Sequence, residues 1–262
     1  MKTTCKNCNT SFNGNFCFTC GQPAKTERLD VHSVWHDIQH GLLHIDKGIL
    51  YTVKLLFTRP GQSIRAYLEG KRVKHFKPLS LVIILATIYA LLNHYLHIEL
   101  IEKSDNHLSI RSFGLGFQFE ATQGENLPLA GIISDFIESH FALFQLIFLP
   151  FYSAATWLAF RKAGHNYIEH LVINAFLRGQ ALLIALGLLP FVYFKIFTPE
   201  ISSGVFTISQ IICFLWAFLQ IYSGRKKSWV VLRSILAIVY LFVILLSVIL
   251  IIILVINLFD MI

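Results

Sequence analysis

From residue 79 onward the chain alternates long apolar runs with polar connectors. Five apolar runs are long enough to cross a bilayer, which takes about 20 residues as helix. They lie at Leu79–Leu96, His140–Phe160, Leu171–Phe194, Val205–Tyr222 and Trp229–Leu258. Upstream the period changes. Val31, Val34, Trp35, Ile38, Leu42, Ile45, Ile49, Val53 and Leu56 recur at spacings of three and four, the apolar face of a helix. Gly41 and Asp46-Lys-Gly48 divide this stretch in two, with Asp46 as N-cap of the second piece. A further short helix is expected to start at Pro60 and stop at Gly70. Such amphipathic helices lie in the membrane interface or pack on the protein's own spans. In the connector 98–139, Phe113, Leu115, Phe117 and Phe119 alternate with Gly114, Gly116 and Gln118, which is the period of a strand. Residues 131–141 read as a helix leading into the second span. The expected fold class is all-α, a five-span transmembrane helical bundle.

Composition sharpens this. The chain has 262 residues, 55% of them hydrophobic, with a formal net charge of +7 and a mean hydropathy of +0.61. These values exclude an ordinary soluble domain and suit a polytopic membrane protein. Met1 to Pro78 holds twelve Lys and Arg against five Asp and Glu, so this segment alone carries a surplus of +7. Bases beside a span are drawn to anionic headgroups, which makes anionic membrane lipids the expected partner. No nucleic-acid reading module accompanies the bases, and nucleic acid is not expected. Arg161-Lys162 and Arg225-Lys226-Lys227 sit in two other connectors, whereas 98–139 is acidic. Basic connectors stay inside, so the expected place is a bacterial cytoplasmic membrane, N-terminus cytoplasmic and C-terminus outside.

The chain begins with two C-x-x-C pairs, Cys5-Lys-Asn-Cys8 and Cys17-Phe-Thr-Cys20. Each pair puts two thiolates on one tight turn, and Gly21 lets the backbone fold back beneath the sulfurs. Together they supply four soft ligands for a tetrahedral Zn2+ of structural type, with no open position for a substrate. Lys2 and Lys6 lie among the thiols and no apolar leader is read ahead of them, which favours a reducing compartment over disulfides. Cys213 stands alone in an apolar run as a small hydrophobe. The expected division is a zinc ribbon at 1–24, basic amphipathic helices at 25–78 and the membrane domain at 79–262.

Three groups of residues are candidates for chemistry. His32, His36, His40 and His44 recur every four residues, a spacing that lets helical neighbours chelate a metal, or simply face water. In the third span Asn166, His170, Asn174 and Arg178 form a stripe at the same spacing, with Glu169 beside it and Gln180 beyond. An arginine inside a span is expensive and faces a bundle interior or a polar cavity. Glu169 is roughly 13 Å from Arg178 along the axis, too far to pair with it. Finally, the Thr58–Arg72 stretch combines a helix start at Pro60 with Arg59, Arg65, Lys71 and Arg72, the parts of an anion site or of plain topological anchoring. No H-E-x-x-H, Walker A or G-x-S-x-G motif is present.

The order Cys17-x-x-Cys20-Gly-Gln22, Arg59-Pro-Gly-x-x-Ile64-x-x-Tyr67-x-x-Gly70-Lys-Arg72, Pro78 and Tyr167-x-Glu-His170-x-Val172 resembles a bacterial membrane family named domain of unknown function 3667. The resemblance runs from Met1 to about Tyr222 and implies no activity, substrate or catalytic residue. The functional expectation is a non-enzymatic membrane protein that binds lipid headgroups or an anion at the inner leaflet. It would also recruit a cytosolic partner through the ribbon. A transporter or channel subunit for an anion or lipid, and a membrane enzyme acting on a lipid phosphate, are the alternatives. Assembly into an oligomer stays open.

Overall fold

The computed structural model describes residues 3–26, 28–30, 48–96, 101–104, 107–110, 119–122, 136 and 139–260. The helix expected over 31–45 with its four histidines, the Phe113–Gln118 alternation and residues 131–135 lie outside the described residues. Short strands β1 (Thr3–Thr4) and β2 (Ser11–Phe12) pair antiparallel, Thr3 opposite Phe12. Two juxtamembrane helices follow, α1 (Gly48–Thr58) and α2 (Pro60–Leu68), and then α3 (Pro78–Tyr95). Strands β3 (Ile101–Ser104), β4 (His107–Ile110) and β5 (Phe119–Thr122) form an antiparallel sheet in that order. The chain ends with α4 (Phe141–Phe160), α5 (Tyr167–Tyr193), α6 (Pro199–Ile221) and α7 (Lys227–Asp260).

Five of these helices, α3 to α7, are long and apolar enough to cross a bilayer, so the chain is a multi-pass membrane protein. The β3–β5 sheet departs from an all-α reading. Its segments are short, β4 and β5 alternate apolar with polar residues, and the strands pair with Ser104 opposite His107 and Ile110 opposite Phe119.

Span boundaries shift where capping decides them. The third span starts at Tyr167 rather than Leu171 because Asn166 and Glu169 form a capping box, each side chain accepting the other's backbone N–H at 2.7 Å. The fourth starts at Pro199 rather than Val205, with the Thr198 hydroxyl as cap and proline in the first turn.

The Arg59–Arg72 motif has a structural account. Pro60 opens α2 without needing an N–H donor. Gly61 lies so close to α6 that an added Cβ would stand 2.1 Å from the Ala217 carbonyl oxygen. Ile64 and Tyr67 are buried, and Tyr67 meets Phe176 of α5 edge-on at 5.1 Å. Gly70 adopts φ +104°, which glycine takes without penalty. Pro60 also leaves the Leu56 carbonyl without its usual helical donor. The buried Gln180 of α5 supplies one instead, its Nε2 donating to Leu56 O at 2.7 Å.

Candidate functional site

The N-terminal thiols converge. Sγ atoms of Cys5 and Cys20 lie 3.5 Å apart, as do those of Cys8 and Cys17, and all four fall within 4.8 Å of one another. A tetrahedron with metal–sulfur bonds of about 2.3 Å has edges of about 3.8 Å, so this set could hold a metal ion. The two turns repeat one design. Asn9 N–H donates to Cys5 O, and Gly21 N–H donates to Cys17 O. Asn9 and Gly21 both take positive φ, 58° and 74°, to bend the chain beneath the sulfurs. The Thr10 hydroxyl beside Cys8 holds that thiol down to about 6, whereas burial pushes the Cys5 thiol up to about 11.

This unit is tied to the bundle. The buried Gln22 side chain donates to Gly70 O at 2.8 Å and accepts from Arg72 N. Arg28 grips both oxygens of Glu169 at 2.8 Å and donates to Gly164 O, while Asn166 Nδ2 donates to Leu29 O. Glu169 is thus paired with Arg28 and caps α5. The pairing of Arg28 and Glu169 spans 141 residues and left no sequence signal, whereas the Asn166-x-x-Glu169 capping box was readable. Beside it, His165 Nδ1 meets the Tyr222 hydroxyl at 3.1 Å, and burial pushes the His165 imidazole below its ordinary value.

The remaining stripe residues face α4. His170 is fully buried, with Nδ1 3.1 Å from Thr156 Oγ1. Asn174 Nδ2 donates to the same oxygen at 2.8 Å. Arg178 lies about 17 Å along α5 from Tyr167. Its Nε donates to Gln145 Oε1 and its guanidinium stands 5.5 Å from the Tyr152 ring centre. Gln145 is a neutral partner that a search for carboxylates missed; an amide inside the second span was its signal in the sequence.

Arg178 and Asn174 also line a cavity of about 340 Å³ enclosed by α4, α5, α6 and α7. Gln180, Thr156, Gln210 and Ser234 add polar groups, and most of the wall is apolar. Ile211, Ile235 and Ile238 belong to that wall and are also 48%, 54% and 55% exposed. The cavity therefore opens sideways between α6 and α7, onto the surface that meets lipid. None of its lining residues among those described is Asp, Glu or His. His170 packs behind the wall.

The juxtamembrane bases are dispersed. Arg65 donates to Ser223 Oγ and approaches Glu69, and Arg72 folds back on the Tyr67 carbonyl and ring. Arg59 and Lys71 are exposed. The amides of Gly61 and Gln62 at the start of α2 donate to Gln220 Oε1 at 3.0 and 3.2 Å. The helix start is thereby capped from α6.

Residues 46–90 match a family model described as protein of unknown function (DUF3667). The matched segment contains the Arg59–Arg72 run, in agreement with the resemblance read from the motifs. No curated protein and no solved structure matches the chain.

Proposed function

We propose that this is a non-enzymatic protein of the bacterial cytoplasmic membrane that binds an anionic lipid headgroup in the cavity at Arg178. The N-terminus would lie inside. One observation carries the reading: a buried arginine lines an otherwise largely apolar cavity that opens between α6 and α7. An arginine in such a place favours an oxyanion such as phosphate or carboxylate, two oxygens of which its planar fork can grip, and the apolar walls suit an acyl chain. Among the described residues the lining holds no acid or histidine, which favours binding over hydrolysis. The four thiols would hold a structural Zn2+, because a full thiolate set leaves no site for substrate. Phe16 and Phe18, 64% and 79% exposed on the second thiol turn, offer an apolar surface to a cytosolic protein partner.

Lipid co-purification across three substitutions tests the headgroup assignment. Arg178→Lys keeps the charge but loses the planar fork, and is expected to retain less anionic lipid than wild type. Arg178→Gln and Arg178→Leu are expected to retain none above background while still inserting. Wild-type lipid content in the Leu variant would overturn the assignment.

A further inference from the structure

Gln180 is the middle residue of the 27 in α5, about 20 Å from either end. The apolar layer of a bilayer is about 30 Å thick, so a residue placed there lies at least roughly 10 Å inside it from either side. Its side chain donates to the Leu56 carbonyl in the last turn of α1. A glutamine side chain is shorter than that depth, so the end of α1 lies within the apolar layer. The flanks of the hairpin lie shallower. At the start of α1 a Cβ added to Gly48 would stand 3.0 Å from the carbonyl oxygen of Lys74, an exposed base. Past the bend, Arg65 in the last turn of α2 donates to Ser223 in the basic α6–α7 connector. The chain thus descends along α1 and returns along α2 to the same side.

Two further observations say what surrounds this bend. The first is the composition of α1, an apolar helix of 11 residues, too short to cross a bilayer. Thr52 and Leu56 are buried on one face, while Leu50 and Phe57, two turns apart on the opposite face, are exposed. A helix that is apolar on both sides has no face suited to water. The second is the care taken of the bend's backbone. Gln180 supplies the Leu56 carbonyl from α5, and Gln220 supplies the amides of Gly61 and Gln62 from α6. Water would do this at an aqueous surface, whereas at membrane depth the protein must do it. Lys54 and Arg59 are the only charges from Gly48 to Ile64, and both have long stems that can carry the charge up to the phosphates. We infer that α1 and α2 form a re-entrant hairpin seated in the lipid leaflet on the side of the thiol unit, with acyl chains covering the Leu50–Phe57 face. The inference is independent of the cavity at Arg178.

Photo-crosslinking of the full chain in its membrane tests this. The photoreactive residue p-benzoylphenylalanine replaces Leu50, Phe57 or, as a control beyond the end of α2, the exposed Lys71. After irradiation, the adduct is identified by the intact mass of the chain and by fragmentation of whatever is attached. Phospholipid joined through an acyl carbon is expected at Leu50 and Phe57, and none above background at Lys71. Leu50 and Phe57 sit at opposite ends of α1, so either position decides the matter if the other variant does not insert. Attachment of another protein, or of a second copy of this chain, would make the face a protein interface and overturn the inference. Absence of any adduct at the positions that insert, or lipid joined only through headgroup carbons, would place α1 outside the acyl layer and overturn it equally.

Discussion

A methyl group added at Gly61 would meet the Ala217 carbonyl oxygen at 2.1 Å and Gln220 Cβ at 2.5 Å, and backbone cannot yield as a side-chain tip can. Gly61→Ala is therefore expected to lower stability by about 3 kcal/mol, the upper end of the usual range for overpacking, and to lower the melting temperature in detergent. Gln180→Leu would strip the Leu56 carbonyl of its donor at a cost of about 1–3 kcal/mol. A milder residue-scale effect follows pH. His75 lies 3.0 Å from Ser63 Oγ, and burial holds its imidazole below the ordinary value. An unfolded histidine takes up its proton near 6.5 while the folded one stays neutral. Stability from His75 is thus complete above about pH 6.5 and falls as pH drops below it, levelling off beneath the folded value. Thermal melts at pH 7.5 and 5 should show the loss, and His75→Gln should reduce it.

Among the elements, the spans were the most legible, because uniform apolarity over twenty residues has few other readings. Their ends were less so. Asn166 continues the four-residue stripe of His170, Asn174 and Arg178, so it read as part of a polar face although the same residue caps α5. The thiol turns were legible from the C-x-x-C spacing and Gly21, whereas the positive φ of Asn9 was not read. Their attachment through Gln22, Arg28 and Leu29 was not, because pairings across 48 to 141 residues leave no local pattern. Neither was the cavity, which exists only once four helices are placed. The attachment yields a prediction. Metal removal by chelator, or Cys17→Ser, is expected to drop bound zinc from about one per chain to none, since thiolate binding energy is local folding energy. Cleavage by trypsin at Lys25 and Arg28 should then rise while helix content by circular dichroism stays constant. Equal zinc in wild type and Cys17→Ser would remove the metal assignment. Arg28→Ala should loosen the same strap by about 1 kcal/mol, discounted because the Arg28 side chain is 60% exposed.

At the scale of the whole molecule, the thiol unit, the α4–α5 connector and the α6–α7 connector gather at one end of the bundle, through Arg28–Gly164, His165–Tyr222 and Arg65–Ser223. The basic connectors cluster there, which is the distribution expected of a cytoplasmic face. A periplasm-dependent reporter fused after Ile262 should accordingly be active, and activity of a cytosol-dependent reporter at that point would reverse the orientation. What makes the bundle more than a packed membrane anchor, on this reading, is the largely apolar cavity at Arg178 opening toward lipid. The most direct measurement of that claim fills it. Ile238 lines the opening and is more than half exposed, so Ile238→Trp can block the mouth without disturbing the buried core. Native mass spectrometry of the two proteins, released from the same membranes, counts the lipid each retains. One tightly held lipid per wild-type chain, lost in Ile238→Trp with the melting temperature unchanged, is the predicted result. The same lipid held equally by both proteins would contradict the account.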